Sequence, residues 1–484
     1  MLIEAKTSPK KTFSHIMEEM RLKWGVPLAI LCMLAVWFAP TPADLSLVGK
    51  KALVLFAGVF ILFLTEAMPL AVTSLAIAPI AVLLGAVKMN DALSGFATGS
   101  TMLMLGALII ATAMVKTRVA ERITYVILSK IGGSTRNITI GVVMVNICLA
   151  FMVPSSTART AILLPICLGV IDIFKAEGRS NFAVGFLLIM AFTNSTIAAG
   201  IMTAAGPNII VVHLIGLAGG QQISYMQWLI FGFPPAVLMT AITWWYLYRT
   251  YKPEFAVVPG GQAYIDDRLQ QLGPMTSQEK RALFVFLAVV ALWVTGEWTK
   301  IDVATACLIG VIMLYLPKFG VLEWADAQKG VSWQVVLVSA GGISLGEILM
   351  KTGAAKWLAT SIFAALGLHT FSVLMLLVVI IFLVQYMHFF FVSTVAMATA
   401  VIPIILAMAV EAKIPPAVLA MPAGMVIAGY PLLMFYNTLP NILVYGTGHL
   451  RMDDFPRVGV VICAIACGVY ALCAATYWQW LGLY

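Results

Sequence analysis

Two short polar clusters interrupt an otherwise apolar chain. Ser155-Ser156-Thr157 follows Pro154, and Ser393-Thr394-Val395 follows the aromatic run Phe389-Phe390-Phe391. Each lies inside an apolar stretch too long for one ordinary membrane span. Gly206-Pro207-Asn208 and Thr438-Leu439-Pro440-Asn441 break two further apolar stretches. A helix that begins at such a break points free N–H groups and its positive dipole end at the break. The hydroxyls of Ser155, Ser156, Thr157, Ser393 and Thr394 add donors, and Asn208 and Asn441 add amides. Such a cluster suits an anion, a carboxylate above all. Helix capping alone would use the same serines and threonines. It would not explain four sites paired along the chain.

Arg159 is the sharpest single residue. It lies two positions past Thr157 and is the one basic residue deep in an apolar segment. None of the 21 acidic residues lies near it in sequence or at mid-depth in another segment. Glu66 and Glu347 come closest, both toward segment ends. A charged side chain at the bilayer centre costs about 2.5–3.5 kcal/mol even on the mild insertion scale. A substrate anion would be the natural partner. The competing reading is an arginine satisfied by backbone carbonyls at a broken helix. His388, five residues before Ser393, is a second candidate charge. A lone histidine in an apolar helix is more simply a hydrogen-bonded packing residue, and the aromatic run beside it reads as packing.

The elements that must position these groups follow from composition. The chain has 484 residues, 62% hydrophobic and 10% charged, with mean hydropathy +1.00. Soluble domains run at about 45–50% apolar and about 25% charged. The chain is therefore expected to be an all-α polytopic membrane protein. At about 20 residues per span, it has room for about 11 transmembrane helices plus two re-entrant helical hairpins. The seven cysteines lie in apolar segments, odd in number and without a CxxC pair. They suggest no disulfide framework, no metal site and no cofactor.

Residues 1–25 are polar and basic and read as a cytoplasmic N-terminal segment. The apolar run that follows reads as a first transmembrane helix over 26–48. A cleaved signal is disfavoured because no small-x-small site follows. Residues 49–250 form a first repeat, with a hairpin at 137–173 and a broken helix at 182–213. Residues 251–280 form a cytoplasmic loop. Residues 281–484 form a second repeat, with a hairpin at 370–410 and a broken helix at 414–446. Four landmarks carry the repeat. Glu66 with Val72 matches Glu297 with Val303, and Lys116-Thr117 matches Lys351-Thr352. Ser155, ten before Pro165, matches Ser393, ten before Pro403, and Pro207-Asn208 matches Pro440-Asn441. The offsets are 231, 235, 238 and 233.

The formal charge of +8 comes from 29 basic and 21 acidic residues. Place the N-terminus in the cytoplasm and let each hairpin return to its own side. Then 21 basic residues fall inside, seven fall outside, and Arg159 is left within the membrane. That is the bias of cytoplasmic loops in a plasma (inner) membrane protein, not a nucleic-acid footprint. The C-terminus then lies outside. Lys116 falls inside and Lys351 outside, so the repeats are inverted. Inverted repeats with paired broken helices point to a secondary transporter whose site lies where the breaks meet. Stranded backbone groups survive in hydrocarbon only when buried in protein or lining a watery cavity. The scarcity of mid-depth carboxylates disfavours a proton pump. A membrane enzyme is disfavoured too, for want of an HExxH motif or paired aspartates within a span. Asp266-Asp267 and Asp453-Asp454 read as solvated loop charges. Hairpins in inverted repeats suit alternating access better than a channel.

At these residues the sequence resembles the divalent anion/sodium symporter family of di- and tricarboxylate carriers, from about residue 50 onward. Thr65-Glu66-Ala67-Met68-Pro69-Leu70 is similar to the family's TEALP-type element. Ser155-Ser156-Thr157 and Ser393-Thr394-Val395 stand where its two Ser-Asn-Thr motifs stand. Gly206-Pro207-Asn208 and Thr438-Leu439-Pro440-Asn441 stand at its Thr-Pro-Pro-Asn-like motifs. The resemblance implies a homodimer in membrane lipid. Each protomer would have a scaffold domain and a transport domain that moves like an elevator and holds both hairpins and both broken helices. It implies that the tip and break residues bind substrate. In sodium-coupled members the motif asparagines and neighbouring carbonyls help hold sodium. Here Ser156 and Thr394 replace those asparagines, Val395 replaces the second threonine, and Arg159 adds a fixed charge. The family's exchanger branch, with a Ser-Ala-Arg-type tip, is the better match. The expected function is elevator-type exchange of small dicarboxylate anions of the succinate, malate and 2-oxoglutarate class, with Arg159 standing in for a coupling cation. Tartrate and the tricarboxylate citrate also suit the pocket, and citrate goes with the alternative. The alternative is sodium-coupled symport, so sodium stays open as a partner.

Overall fold

The computed structural model describes residues 13–173, 179–219, 222–257 and 260–483, with backbone only for 13–19 and 369. Among the described residues there are 24 α-helices, three short 3-10 turns and no β-strand. Ten helices are long and apolar enough to cross a membrane, and six further apolar helices are shorter. The protein is an all-α multi-pass membrane protein. Several short helices arise where a break divides a span, as in Gly206–Gly219 and Pro416–Gly429.

The first helix runs Phe13–Phe38. It begins within the segment anticipated as polar tail, of which residues 1–12 lie outside the described residues. So do Lys6, Lys10, Lys11 and Lys175, counted above as cytoplasmic. The helix stops well short of 48 because Pro40 and Pro42 cannot continue it. It packs along Leu47–Thr65.

The first hairpin is Thr135–Met152 with Ser156–Ile173, and the second is Val373–Met387 with Thr394–Glu411. The first broken helix is Asn181–Ala198, a 3-10 turn Met202–Ala204, then Gly206–Gly219. The second is Pro416–Gly429, then Leu439–Tyr445. In both, the break lies upstream of the motif. Pro207 and Pro440 sit in the first turn of the second half, where a missing N–H costs nothing.

Sequence reading missed two amphipathic helices, Val119–Ile131 and Ala354–Leu366, one before each hairpin. The first is too polar on one face to register as a span, and the second, though apolar, is too short. Left-handed residues bracket both: Arg118 (φ 63) and Gly132 (φ 94), then Gly353 (φ 78) and Gly367 (φ 64). Arg122 pins the first of these helices. Its Nε lies 2.5 Å from Glu279 Oε1, and its Nη atoms donate to the carbonyls of Gly273 at 2.8 Å and Leu272 at 3.1 Å.

Two expectations about loop acids are corrected. The loop 251–280 contains the helix Gly261–Gln271, where Asp266 accepts from Ser129 Oγ at 2.5 Å and from Gln262 Nε2 at 3.0 Å. Asp454 is only 1% exposed. It accepts from Arg179, from Tyr251 Oη at 3.1 Å and from Arg451 N at 2.7 Å. Both carboxylates knot separate elements together instead of facing water.

The helix Trp333–Lys351 packs on both Leu70–Leu83 and Thr394–Glu411. Glycines allow this. A Cβ on Gly342 would lie 1.8 Å from Thr399 Cγ2, and one on Gly346 would lie 2.9 Å from Leu214 Cδ2. The run Gly342-Ile343-Ser344-Leu345-Gly346, which sequence reading missed in finding no such motif, has the Gly-x-Ser-x-Gly spacing of a hydrolase nucleophile. It lies in mid-helix, not on the strand-to-helix turn that exposes such a serine. Ser344 Oγ instead accepts from Gly95 N at 3.0 Å.

Candidate functional site

The two hairpin tips are built alike. Ser155 Oγ accepts from Ala158 N at 3.3 Å, and Ser393 Oγ accepts from Ala396 N at 3.3 Å. Both serines are thus occupied as N-caps. Thr157, Thr394 and Val395 are partly exposed. Among the described residues the hydroxyls of Thr157 and Thr394 have no hydrogen-bond partner. They stand at helix starts, whose first N–H groups lack intrahelical acceptors. These are the donors still available to an anion.

Arg159 is fully buried. Its Nε donates to Asn194 Oδ1 at 2.6 Å. Nη1 donates to Val153 O at 2.6 Å and Ala204 O at 3.1 Å. Nη2 donates to Ser156 Oγ at 3.0 Å and Asn194 O at 3.2 Å. A guanidinium has five N–H donors, so each has a protein oxygen. Among the described residues no carboxylate pairs with it. The guanidinium is sealed in an oxygen cage with its charge uncompensated. That geometry is the carbonyl-satisfied arginine weighed above as the competing reading, and it leaves no free donor for direct contact with a substrate.

Asn194 is the residue that sequence reading missed. Its Nδ2 donates to Ser156 O and to Thr160 Oγ1, both at 2.8 Å. The polar run Thr193-Asn194-Ser195-Thr196 inside an apolar, buried helix was the available signal.

The second repeat closes its tip differently. Asn437 Nδ2 donates to His388 O at 2.6 Å and Phe391 O at 3.1 Å. His388 is 1% exposed. Its Nδ1 lies 2.9 Å from Gln385 O and its Nε2 lies 3.2 Å from Ile427 O. A neutral ring donates to one of these carbonyls; only an imidazolium donates to both.

The breaks are held by matching amides. Asn208 Nδ2 donates to Ala198 O at 2.8 Å and Ile201 O at 2.9 Å. Asn441 Nδ2 donates to Pro431 O at 2.9 Å and Met434 O at 3.2 Å. In both, the acceptors lie ten and seven residues upstream. The Oδ1 atoms of both are buried without a partner. Asn208→Ala and Asn441→Ala should each cost about 1–3 kcal/mol, since each removes two hydrogen bonds that clasp the break. Thermal unfolding in detergent would read this as matched falls in Tm.

Hairpins and breaks meet across the repeats. Val395 Cγ2 lies 3.0 Å from where a Cβ of Gly206 would stand, with Ser339 Oγ at 3.9 Å. Leu439–Tyr445 packs against Ser156–Ile173. Gly206, Pro207, Asn208, Pro440 and Asn441 are buried, Thr438 is partly buried, and Leu439 is exposed.

Two tipped hairpins facing two broken helices in a polytopic bundle define a membrane carrier. Residues 20–484 match the family described as the sodium:sulfate symporter transmembrane region. The chain belongs to that family, the divalent anion/sodium symporters its motifs resemble. A membrane protein of Cupriavidus necator is 32% identical, over 96% of this chain and 94% of its own. The sodium-dependent dicarboxylate transporter SdcS of Staphylococcus saprophyticus is 28% identical, over 86% and 84%. YflS of Bacillus subtilis, whose name marks malate transport as a provisional assignment, is 26% identical, over 95% and 97%. Among solved structures, the Neisseria gonorrhoeae efflux pump MtrF superposes with a TM-score of 0.55 at 12% identity, over 96% of this chain and 97% of its own. The Alcanivorax borkumensis transporter YdaH reaches 0.50 at 11%, over 97% and 99%. These two likenesses concern the fold. The family, and SdcS and YflS among these relatives, are transporters, not enzymes.

Proposed function

We propose that the protein is a secondary transporter that exchanges small dicarboxylate anions of the succinate, malate and 2-oxoglutarate class, without sodium. In this reading the hairpins, the broken helices and the spans Tyr225–Thr250 and Asp454–Ala475 form a transport domain. It moves as an elevator against a scaffold that includes Gly99–Lys116, Ser277–Val294 and Trp333–Lys351. Two such protomers form a homodimer in the plasma membrane, with the N-terminus cytoplasmic and the C-terminus outside. Thr157 and Thr394, with the helix-start N–H groups beside them, hold the substrate carboxylates.

The observation that carries this reading is the caged, unpaired charge of Arg159. It sits among the oxygens that a bound cation would take. Unloaded, the transport domain would move a buried positive charge through hydrocarbon, which is costly. A dicarboxylate beside it offsets that charge, so loaded carriers cross and empty ones do not. His388 supplies a second charge at the matching tip when protonated. Arg159 thus acts on the substrate through its field, not through direct hydrogen bonds.

A sodium-coupled reading has its own support in the orphan Oδ1 atoms of Asn208 and Asn441 and in relatives named sodium-dependent. Counterflow in proteoliposomes decides between the two. Labelled succinate should enter only vesicles preloaded with dicarboxylate, at a rate indifferent to sodium. Uptake into empty vesicles driven by a sodium gradient would overturn exchange in favour of symport.

A further inference from the structure

We propose that His213 and Glu347 form a proton-binding site across the sliding interface, whose occupancy holds the carrier in the conformer described here. The inference rests on the elevator reading above. His213 lies on Gly206–Gly219, which that reading places in the moving domain. Glu347 lies on Trp333–Lys351, placed in the scaffold. His213 Nε2 stands 3.6 Å from Glu347 Oε1, with side chains 17% and 8% exposed. That is an ion-pair distance, too long for a hydrogen bond, and Nε2 is buried with no hydrogen-bond partner.

The carboxylate is fixed from the scaffold side. Ser94 Oγ donates to Glu347 Oε2 at 2.8 Å. Lys351 Nζ lies 3.4 Å from the same oxygen and 3.7 Å from Asp91 Oδ1. Two carboxylates share one ammonium, so the cluster carries one excess negative charge until His213 takes a proton. The other titratable groups on elements packed against Gly206–Gly219 are few. They are Glu411 at the end of Thr394–Glu411 and Lys116 at the end of Gly99–Lys116; Pro416–Gly429 carries none. His213 is therefore the variable member of the cluster, the residue type that changes charge in the physiological range.

Neutral, it only faces the carboxylate. Protonated, it forms an ion pair in a half-buried setting, where attraction is less screened than at a surface. The pair exists only while Gly206–Gly219 lies against Trp333–Lys351 at this register, where Leu214 crosses Gly346. Sliding separates the two groups. A proton that binds one conformer better shifts the population toward it. Falling pH should thus favour this conformer, and rising pH should release it.

The test uses full-length protein in nanodiscs, with Cys32, Cys148 and Cys473 changed to alanine. Spin labels are placed at Leu287→Cys on Ser277–Val294 and Val410→Cys on the second hairpin, both exposed. Electron double resonance should resolve two distances. The share of the one matching this structure should rise roughly fivefold relative to the other between pH 8 and pH 5.5. His213→Asn and Glu347→Gln should each flatten that response while succinate still shifts the ratio. Two distances whose ratio ignores pH, or whose pH response survives both substitutions, would overturn the proposed pair. One distance under all conditions, unmoved by succinate, would overturn the elevator reading on which it rests.

Discussion

Arg159→Met should reduce dicarboxylate exchange by about 100-fold, the kinetic equivalent of losing roughly 3 kcal/mol of charge compensation. Methionine is an informed choice. Met397 holds the matching place in the second repeat, 238 residues on, and is fully buried there. The substitution removes the donor to five oxygens: Val153 O, Ala204 O, Ser156 Oγ and both oxygens of Asn194. Each orphaned buried acceptor costs about 1–3 kcal/mol, a large sum against a total stability of about 5–15 kcal/mol. The variant must therefore be checked for monodispersity and substrate-independent Tm before its rate is interpreted. Arg159→Lys separates charge from scaffolding. It keeps the charge but offers three donors without the planar fork, and should recover about a tenth of the exchange. Wild-type rates in a folded Arg159→Met protein would return Arg159 to a packing role.

Gly342→Ala should stop transport through a different cause. The added Cβ would meet Thr399 Cγ2 at 1.8 Å and Thr399 Cβ at 2.4 Å. Neither atom is the end of a flexible chain. The helices must part, at about 1–3 kcal/mol of overpacking, and the seam on which the proposed transport domain slides is wedged. Transport should fall more than tenfold, the counterpart of such an energy. Thr399→Gly added to Gly342→Ala restores one side without a Cβ. It should regain much of the lost rate, less the helix cost of a glycine, about 1 kcal/mol. Thr399→Gly alone should transport normally or nearly so. If the double variant transports no better than Gly342→Ala, the contact is not what limits motion.

Much of the architecture was readable because its physics is local. Long apolar runs with a polar centre can only fold back or break, so the hairpins were placed within a few residues. The repeat landmarks survive in the structure as matching chemistry: equal caps at Ser155 and Ser393, equal amide clasps at Asn208 and Asn441. What escaped depends on neighbours distant in sequence. Val119–Ile131 alternates apolar and polar faces and Ala354–Leu366 is apolar but short, so no window marks either as a span. Asp454 looked like a loop charge because Arg179 and Tyr251, which bury it, come from elsewhere in the chain. Arg159 was legible as an exceptional residue, but its surroundings were not. Sequence shows which acids are absent nearby, whereas three of the five cage oxygens are backbone carbonyls, which every residue carries.

In the elevator reading, the bracketed helices before the hairpins set a mechanical limit on the carrier. Each has 13 residues, so each is a rod of about 20 Å, with left-handed joints at both ends and, for the first, a clamp at Arg122. A rod of that length tilting by about 30° lifts its far end by roughly 10 Å. The hydrocarbon layer is about 30 Å thick. On that reading, a tilt of about 30° would give a stroke of about a third of the barrier. With such a stroke the cargo would not be ferried from one face to the other; it would be passed between two water-filled funnels covering the remaining depth. Lengthening either rod by a helical turn would change the stroke, and with it how deep those funnels must reach.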